Sequence, residues 1–228
     1  MSAFFKIAVS LLLIATLLSL GLNQRAAASG QGIEDFETWH QLTWTYFQHD
    51  RLTLSLYGEA RFNDNSTFNS FRSVKQQFGY RAAPWLDLAF KMTYQEVSSD
   101  SRDTRGDYRL EWEVTPFFQS RDGSRRLSFR NRVELFFTEN VDSERWRWRL
   151  RVQLSQQLKG FWADSFSISN EFFYDFQPDD FNQNRFKPLG LNFKLNDRVT
   201  YGVFVLIDSD LGDDGFEHAF VLGQSLKF

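Results

Sequence analysis

Arg145-Trp146-Arg147-Trp148-Arg149-Leu150-Arg151-Val152-Gln153-Leu154-Ser155 is the stretch that decides the fold. Successive residues of an extended chain point to opposite sides. A strand here therefore shows Trp146, Trp148, Leu150, Val152 and Leu154 on one face, and four arginines with Gln153 and Ser155 on the other. A helix would mix the two sets around its circumference, so the segment reads as a strand.

The same two-residue period extends in both directions. Leu52, Leu54, Leu56, Ala60 and Phe62 alternate with Thr53, Ser55, Tyr57, Glu59 and Arg61. Leu86 to Tyr94 on even positions, Tyr108 to Val114 on even positions, Leu127 to Leu135 on odd positions and Val199 to Ile207 on odd positions repeat the pattern. Trp39 to Phe47, Phe71 to Tyr80, Phe166 to Tyr174 and Leu189 to Leu195 are fainter versions. The last shifts phase near Pro188, where a bulge or a strand start tolerates the missing N–H. Phe220, Leu222, Leu226 and Phe228 share one face of a final strand that stops on phenylalanine.

These segments predict an all-β, antiparallel, up-and-down transmembrane β-barrel of about ten to twelve strands. Counting gives eleven, where an even number is expected. Tight connections fall at 48–51, 82–84, 120–124, 159–161 and 196–197, and longer polar ones at 63–69, 97–106, 139–144, 177–183 and 208–215. If the short turns share the periplasmic side, the segment from Trp39 runs inward from the outside, although an exported chain starts in the periplasm. Either that segment is not part of the wall, leaving ten strands, or one is missing from the count and there are twelve.

The start of the chain fits export. Lys6 precedes an apolar and small run, Ile7 to Leu22, and Ala26-Ala27-Ala28 offers a small-x-small cleavage site. Residues 1–28 are expected to be a cleaved signal peptide and 29–228 one barrel domain. A membrane anchor is the competing reading of the same run. Mean hydropathy is −0.43, as suits a wall in which only alternate residues meet lipid. There is no cysteine, so the fold rests on hydrogen bonding and packing. Removing Lys6 and Arg25 with the leader leaves 24 of the 26 cations against 29 carboxylates, which excludes the basic excess of a nucleic-acid binder.

Alternation also fits a soluble barrel or sandwich with an apolar interior. Bulky side chains at nearly every apolar position suit an open hydrocarbon surface. Trp39, Trp44, Trp85, Trp112, Trp146, Trp148 and Trp162 mostly fall near predicted strand ends, where interfacial girdles belong. The polar faces then line a lumen. Arg145, Arg147, Arg149 and Arg151 form a column about 6.6 to 6.8 Å apart, with Arg130, Arg132 and Glu134 on the preceding strand and Arg109, Glu111 and Glu113 on the one before. Glu111, Glu113, Glu134 and Glu171 are placed to compensate the arginines. This charge ladder reads either as an ion-pair plug or as a basic stripe along a water-filled passage that draws anionic solutes.

The closing strand with its terminal Phe228 resembles the assembly signal of bacterial outer-membrane barrels. Arg130-Asn131-Arg132-Val133-Glu134, Trp146 to Arg151, Glu171-Phe172-Phe173, Asn184-Arg185 and Gly190-Leu191 together resemble a bacterial outer-membrane family of unknown function, DUF2490. The resemblance spans nearly the whole mature chain and implies a barrel and a location, with no activity attached. The expected partners are outer-membrane lipids, lipopolysaccharide and, through the strand ending at Phe228, the barrel-assembly machinery.

An outer-membrane lipid-modifying enzyme, a lipase or a lipid A acyl hydrolase, is the alternative class. It needs a Ser activated by His, and on one strand face that means His-x-Ser. His40, His49 and His218 are followed by Gln41-Leu42, Asp50-Arg51 and Ala219-Phe220, so none fits; a pair from different strands, such as His218 with a distant serine, remains open. The expectation is a non-enzymatic barrel without cofactor. Asp208, Asp210, Asp213 and Asp214, with Asp179 and Asp180, read as solvated loop residues, since their spacing lacks the glycine and terminal glutamate of a calcium loop.

Overall fold

A computed structural model describes residues 33–98, 104–139, 143–177, 179–212 and 215–228. The expected signal peptide, 1–28, lies outside the described residues, as do Asp213 and Asp214. Among the described residues eleven strands follow one another: β1 (Ile33–His49), β2 (Leu52–Asn63), β3 (Phe68–Ala83), β4 (Leu86–Ser98), β5 (Thr104–Gln119), β6 (Arg125–Thr138), β7 (Glu144–Gln157), β8 (Ser165–Asp175), β9 (Asp180–Lys194), β10 (Thr200–Gly212) and β11 (Gly215–Lys227). Each pairs with its sequence neighbours, and β1 with β11, into a closed barrel.

The count is neither ten nor twelve. The segment containing Trp39 is a full stave, antiparallel to β2 and parallel to β11, with Phe36 opposite Phe220 and Leu42 opposite Leu226. The reason is arithmetic: an odd number of alternating strands brings the first and last into the ring in the same direction. The seam is completed by the Phe228 backbone, whose N–H donates to the Thr43 carbonyl at 2.9 Å and whose carbonyl accepts from the Thr45 N–H at 2.9 Å.

Several predicted loops shorten. The stretches expected as connections at 177–183 and 208–215 are mostly strand, with β9 starting at Asp180 and β10 running to Gly212. Polar sequence there marks staves that outrun the apolar band rather than loops. Pro188 sits inside β9, and the register shifts against both neighbours, between Val205 and Ile207 on β10 and between Ser167 and Ser169 on β8. A bulge accommodates the absent donor, as its phase shift predicted. The tight turn between β5 and β6 is tied by Asp122, which accepts from Ser120 Oγ, from Ser124 Oγ at 2.8 Å and from the Ser124 N–H at 3.1 Å. Those hydrogen bonds pull its carboxyl down to about 2, so the tie is lost only as pH falls through that value.

Apolar side chains on the outside remain open: Leu42, Trp44, Val74, Trp112, Val114 and Leu222 keep about two-fifths or more of their surface exposed. The inside is mostly polar, and it holds an apolar cluster at the seam. Trp39, Leu206 and Val221 are buried together, and Phe204 packs against them. Trp39, expected in an outer girdle, instead points inward and is 4% exposed, with the Arg61 guanidinium 4.0 Å above its ring. Gly223 makes room for this cluster, because a Cβ there would stand 1.9 Å from Phe204 Cζ. Gly223→Val is expected to destabilise the barrel by about 1–3 kcal/mol through overpacking, read as a lower denaturation midpoint.

Candidate functional site

Four glutamates organise the interior. Glu111 and Glu113 come from β5, Glu134 from β6 and Glu171 from β8; Glu111 and Glu134 are completely buried and Glu171 is 1% exposed. Each is shared among three cations. Glu111 meets Arg109 at 3.0 Å, Arg132 at 3.0 Å and Lys75 at 3.1 Å. Glu113 meets Lys91 at 2.7 Å, Arg132 at 2.9 Å and Arg130 at 3.7 Å. Glu134 meets Arg149 at 2.7 Å, Arg132 at 3.2 Å and Arg109 at 3.9 Å. Glu171 takes Arg130, Arg151 and Arg149, the last at 3.0 Å.

The register explains why so many partners are needed. Three directly opposite pairs are like-charged: Glu111 faces Glu134, Arg132 faces Arg149 and Arg130 faces Arg151. Such pairs repel across a ladder, and the attraction comes from the opposite-charged partners beside them, Arg132 across from Glu113 and Arg151 across from Glu171, and from diagonal neighbours such as Arg149 with Glu134. Charges this far from water are stable only when paired and hydrogen-bonded. Arg132 carries most of that burden, since it touches three of the four glutamates.

Nine residues of the charge ladder read from sequence join this network: Arg109, Glu111, Glu113, Arg130, Arg132, Glu134, Arg149, Arg151 and Glu171. The other two stand apart on the inner face. Arg147 pairs with Asp175 at 2.6 Å, and Arg145 lies 4.3 Å over the Phe136 ring. The sequence reading missed Lys75 and Lys91, whose alternation on β3 and β4 placed them inward. It also missed Asp208, taken for a loop residue, which bonds Arg185 at 2.9 Å. Phe136 and Phe173 were missed as well; both point inward, 1% exposed, as ring faces for Arg109, Arg145, Arg147, Arg149 and Arg185. A large aromatic on the polar side of an alternating strand, flanked by arginines, is the signal that could have found them.

The remaining space in the lumen is a cavity of about 520 Å³. Among the described residues lining it, thirteen are lysine or arginine and two, Glu59 and Glu171, are carboxylates. Glu111, Glu113 and Glu134 stand behind the cations they neutralise. No group of three or more His, Asp or Glu among the described residues could hold a metal ion. Away from the lumen, Ser209 on β10 lies opposite His218 on β11, with Oγ 2.9 Å from Nδ1. His40 Nδ1 contacts Gln224 Nε2 at 2.7 Å, and His49 is exposed beside Asp50.

No curated protein matches the chain. Among solved structures, a bacterial polysaccharide outer membrane secretin is similar at 10% identity and a TM-score of 0.46, over 76% of this chain and 74% of that one. The siderophore receptor PirA from Pseudomonas aeruginosa is similar at 14% identity and a TM-score of 0.30, over 75% of this chain and 34% of the receptor. A family model described as a protein of unknown function, DUF2490, matches residues 36–214.

Proposed function

The chain belongs to the DUF2490 family, and from the polarity of its wall we propose that it is an exported outer-membrane β-barrel, non-enzymatic, whose lumen is held shut by the Arg/Glu network. The observation that carries this reading is the inversion of a soluble fold: half-exposed Leu42, Val74, Met92 and Trp112 outside, fully buried Glu111 and Glu134 inside. Water is a poor solvent for that exterior and hydrocarbon a good one. In this reading the outer face contacts membrane lipid and lipopolysaccharide, and β11 with Phe228 presents the chain to the assembly machinery.

Planar-bilayer recordings test the plug. Wild-type protein is expected to conduct little, and removing one balanced pair, Arg149→Ala with Glu134→Ala, is expected to open a steady current. Those two side chains meet at 2.7 Å, so the double change deletes bulk without leaving the direct partner unpaired. A steady open channel in the wild type would overturn the closed lumen and favour the passage for anionic solutes.

A second reading, the lipid-modifying enzyme, has one observation in its favour. The Ser209–His218 contact supplies the distance at which a histidine can take a hydroxyl proton. Mass spectra of lipid A and phospholipids from cells with wild-type protein and with Ser209→Ala decide it. Identical profiles remove this alternative.

A further inference from the structure

The network does not neutralise itself. Seven cations, Lys75, Lys91, Arg109, Arg130, Arg132, Arg149 and Arg151, share four glutamates, a formal excess of three positive charges on side chains that are mostly buried. Two more ammonium groups lie beyond it. Lys187 and Lys227 face the cavity, and neither has a carboxylate within 4 Å among the described residues; the Phe204 ring, 5.9 Å from Lys187 Nζ, is the contact Lys187 does make. Arg151, Lys227 and Arg130 are near enough to Lys187 to repel its charge, and Glu171, already shared among three arginines, is the carboxylate that opposes them. Like charges gathered at low dielectric repel, and a counter-ion is the ordinary remedy.

The wall beside them is built to donate. Ser167, Ser169 and Ser225 line the same cavity, and none of these hydroxyls bonds another side chain among the described residues. Two glycines keep that space clear. A Cβ on Gly190 would stand 2.7 Å from Ser167 Oγ and 3.5 Å from Lys187 Nζ, and one on Gly202 would stand 2.4 Å from Ser225 Oγ. A free volume of about 520 Å³ in the lumen suits a small molecule. Hydroxyl donors, ammonium groups and the guanidinium fork of Arg151 all recognise oxygens carrying negative charge.

We propose that the lumen binds a small multivalent oxyanion, a phosphate or a polycarboxylate, between Arg151, Lys187 and Lys227 and the hydroxyls of Ser167, Ser169 and Ser225. The proposal rests on the closed-lumen reading, for an open water-filled channel would exchange such an ion freely with salt. It names the ligand class that the plug retains.

Full-chain protein folded in detergent micelles provides the test, with the probes sodium pyrophosphate and sodium citrate set against sodium chloride at equal ionic strength. Saturating pyrophosphate or citrate is expected to raise Tm by roughly 5 °C over chloride, since a ligand that binds only the folded state stabilises it. Lys187→Gln with Lys227→Gln is expected to abolish the rise, and Lys187→Arg to keep it. A shift with pyrophosphate alone identifies a phosphoryl ligand, with citrate alone a carboxylate, and with both the wider class. Equal Tm values in all three salts, or a full shift in the double glutamine variant, overturn the proposal. Wild-type conductance measured on the same preparation separates the two ideas: a steady current refutes the plug whatever the Tm values show.

Discussion

Glu111→Gln will cost the barrel about 3–5 kcal/mol, the penalty for leaving buried charge uncompensated. Glu111 has no exposed surface, and Arg109, Arg132 and Lys75 all lie within about 3.1 Å of it. Glutamine keeps the shape and removes the charge, so three cations are left facing one another with a neutral amide between them. Thr93 Oγ1, which donates to Glu111 Oε1 at 2.9 Å, can still bond an amide oxygen, while the amide NH2 replaces the oxygen that pairs with Arg132 at 3.0 Å, so the cost combines lost charge with a lost acceptor. A matched substitution in a more exposed pair, Asp87→Asn beside Arg81 and Arg126, is expected to cost no more than about 1 kcal/mol, because water screens that pair. Denaturant titrations of the two variants in lipid vesicles, compared with wild type, give both numbers. Equal midpoints would mean that the interior is wetter than its burial indicates.

Leu150→Arg will be nearly as damaging for the opposite reason. Leu150 sits midway along β7 on the outer face, between Arg149 and Arg151, which point in. If hydrocarbon bathes that face, arginine there costs about 2–4 kcal/mol at the bilayer midplane. If water bathes it, a surface change of this kind stays within about 0.5 kcal/mol. Folding into vesicles, followed by heat-dependent gel mobility and denaturant midpoint, distinguishes the two. A variant that folds as well as wild type would remove the membrane reading while leaving the barrel intact.

The strands were legible because period-2 alternation has one physical meaning, and the Arg145 to Ser155 stretch leaves no room for another. Their ends were not, because the staves continue past the apolar band: Asp208 and Asp210 look like loop residues until Arg185 is seen beside Asp208. The inward direction of the charge ladder could be read from alternation alone. Its pairing could not, since which glutamate meets which arginine depends on register, and register depends on turn lengths and on bulges such as those near Pro188 and between Thr45 and Phe47. Trp39 shows a further limit. Its residue type suggested a girdle, while its position, two residues from Gln41 and four from Thr43 on the lumen side, decided otherwise.

The parallel seam has a consequence for the chain's geography. In an even-stranded barrel the start of the first stave and the end of the last open at the same mouth, and a few residues can splice them into a circular permutant. Here Ile33 lies opposite His218, towards the mouth where β11 begins, and Lys227 ends at the other, nine residues further along β11. A splice between them has to travel about 30 Å, the run of a strand of that length, either down the charged interior or along the outer wall.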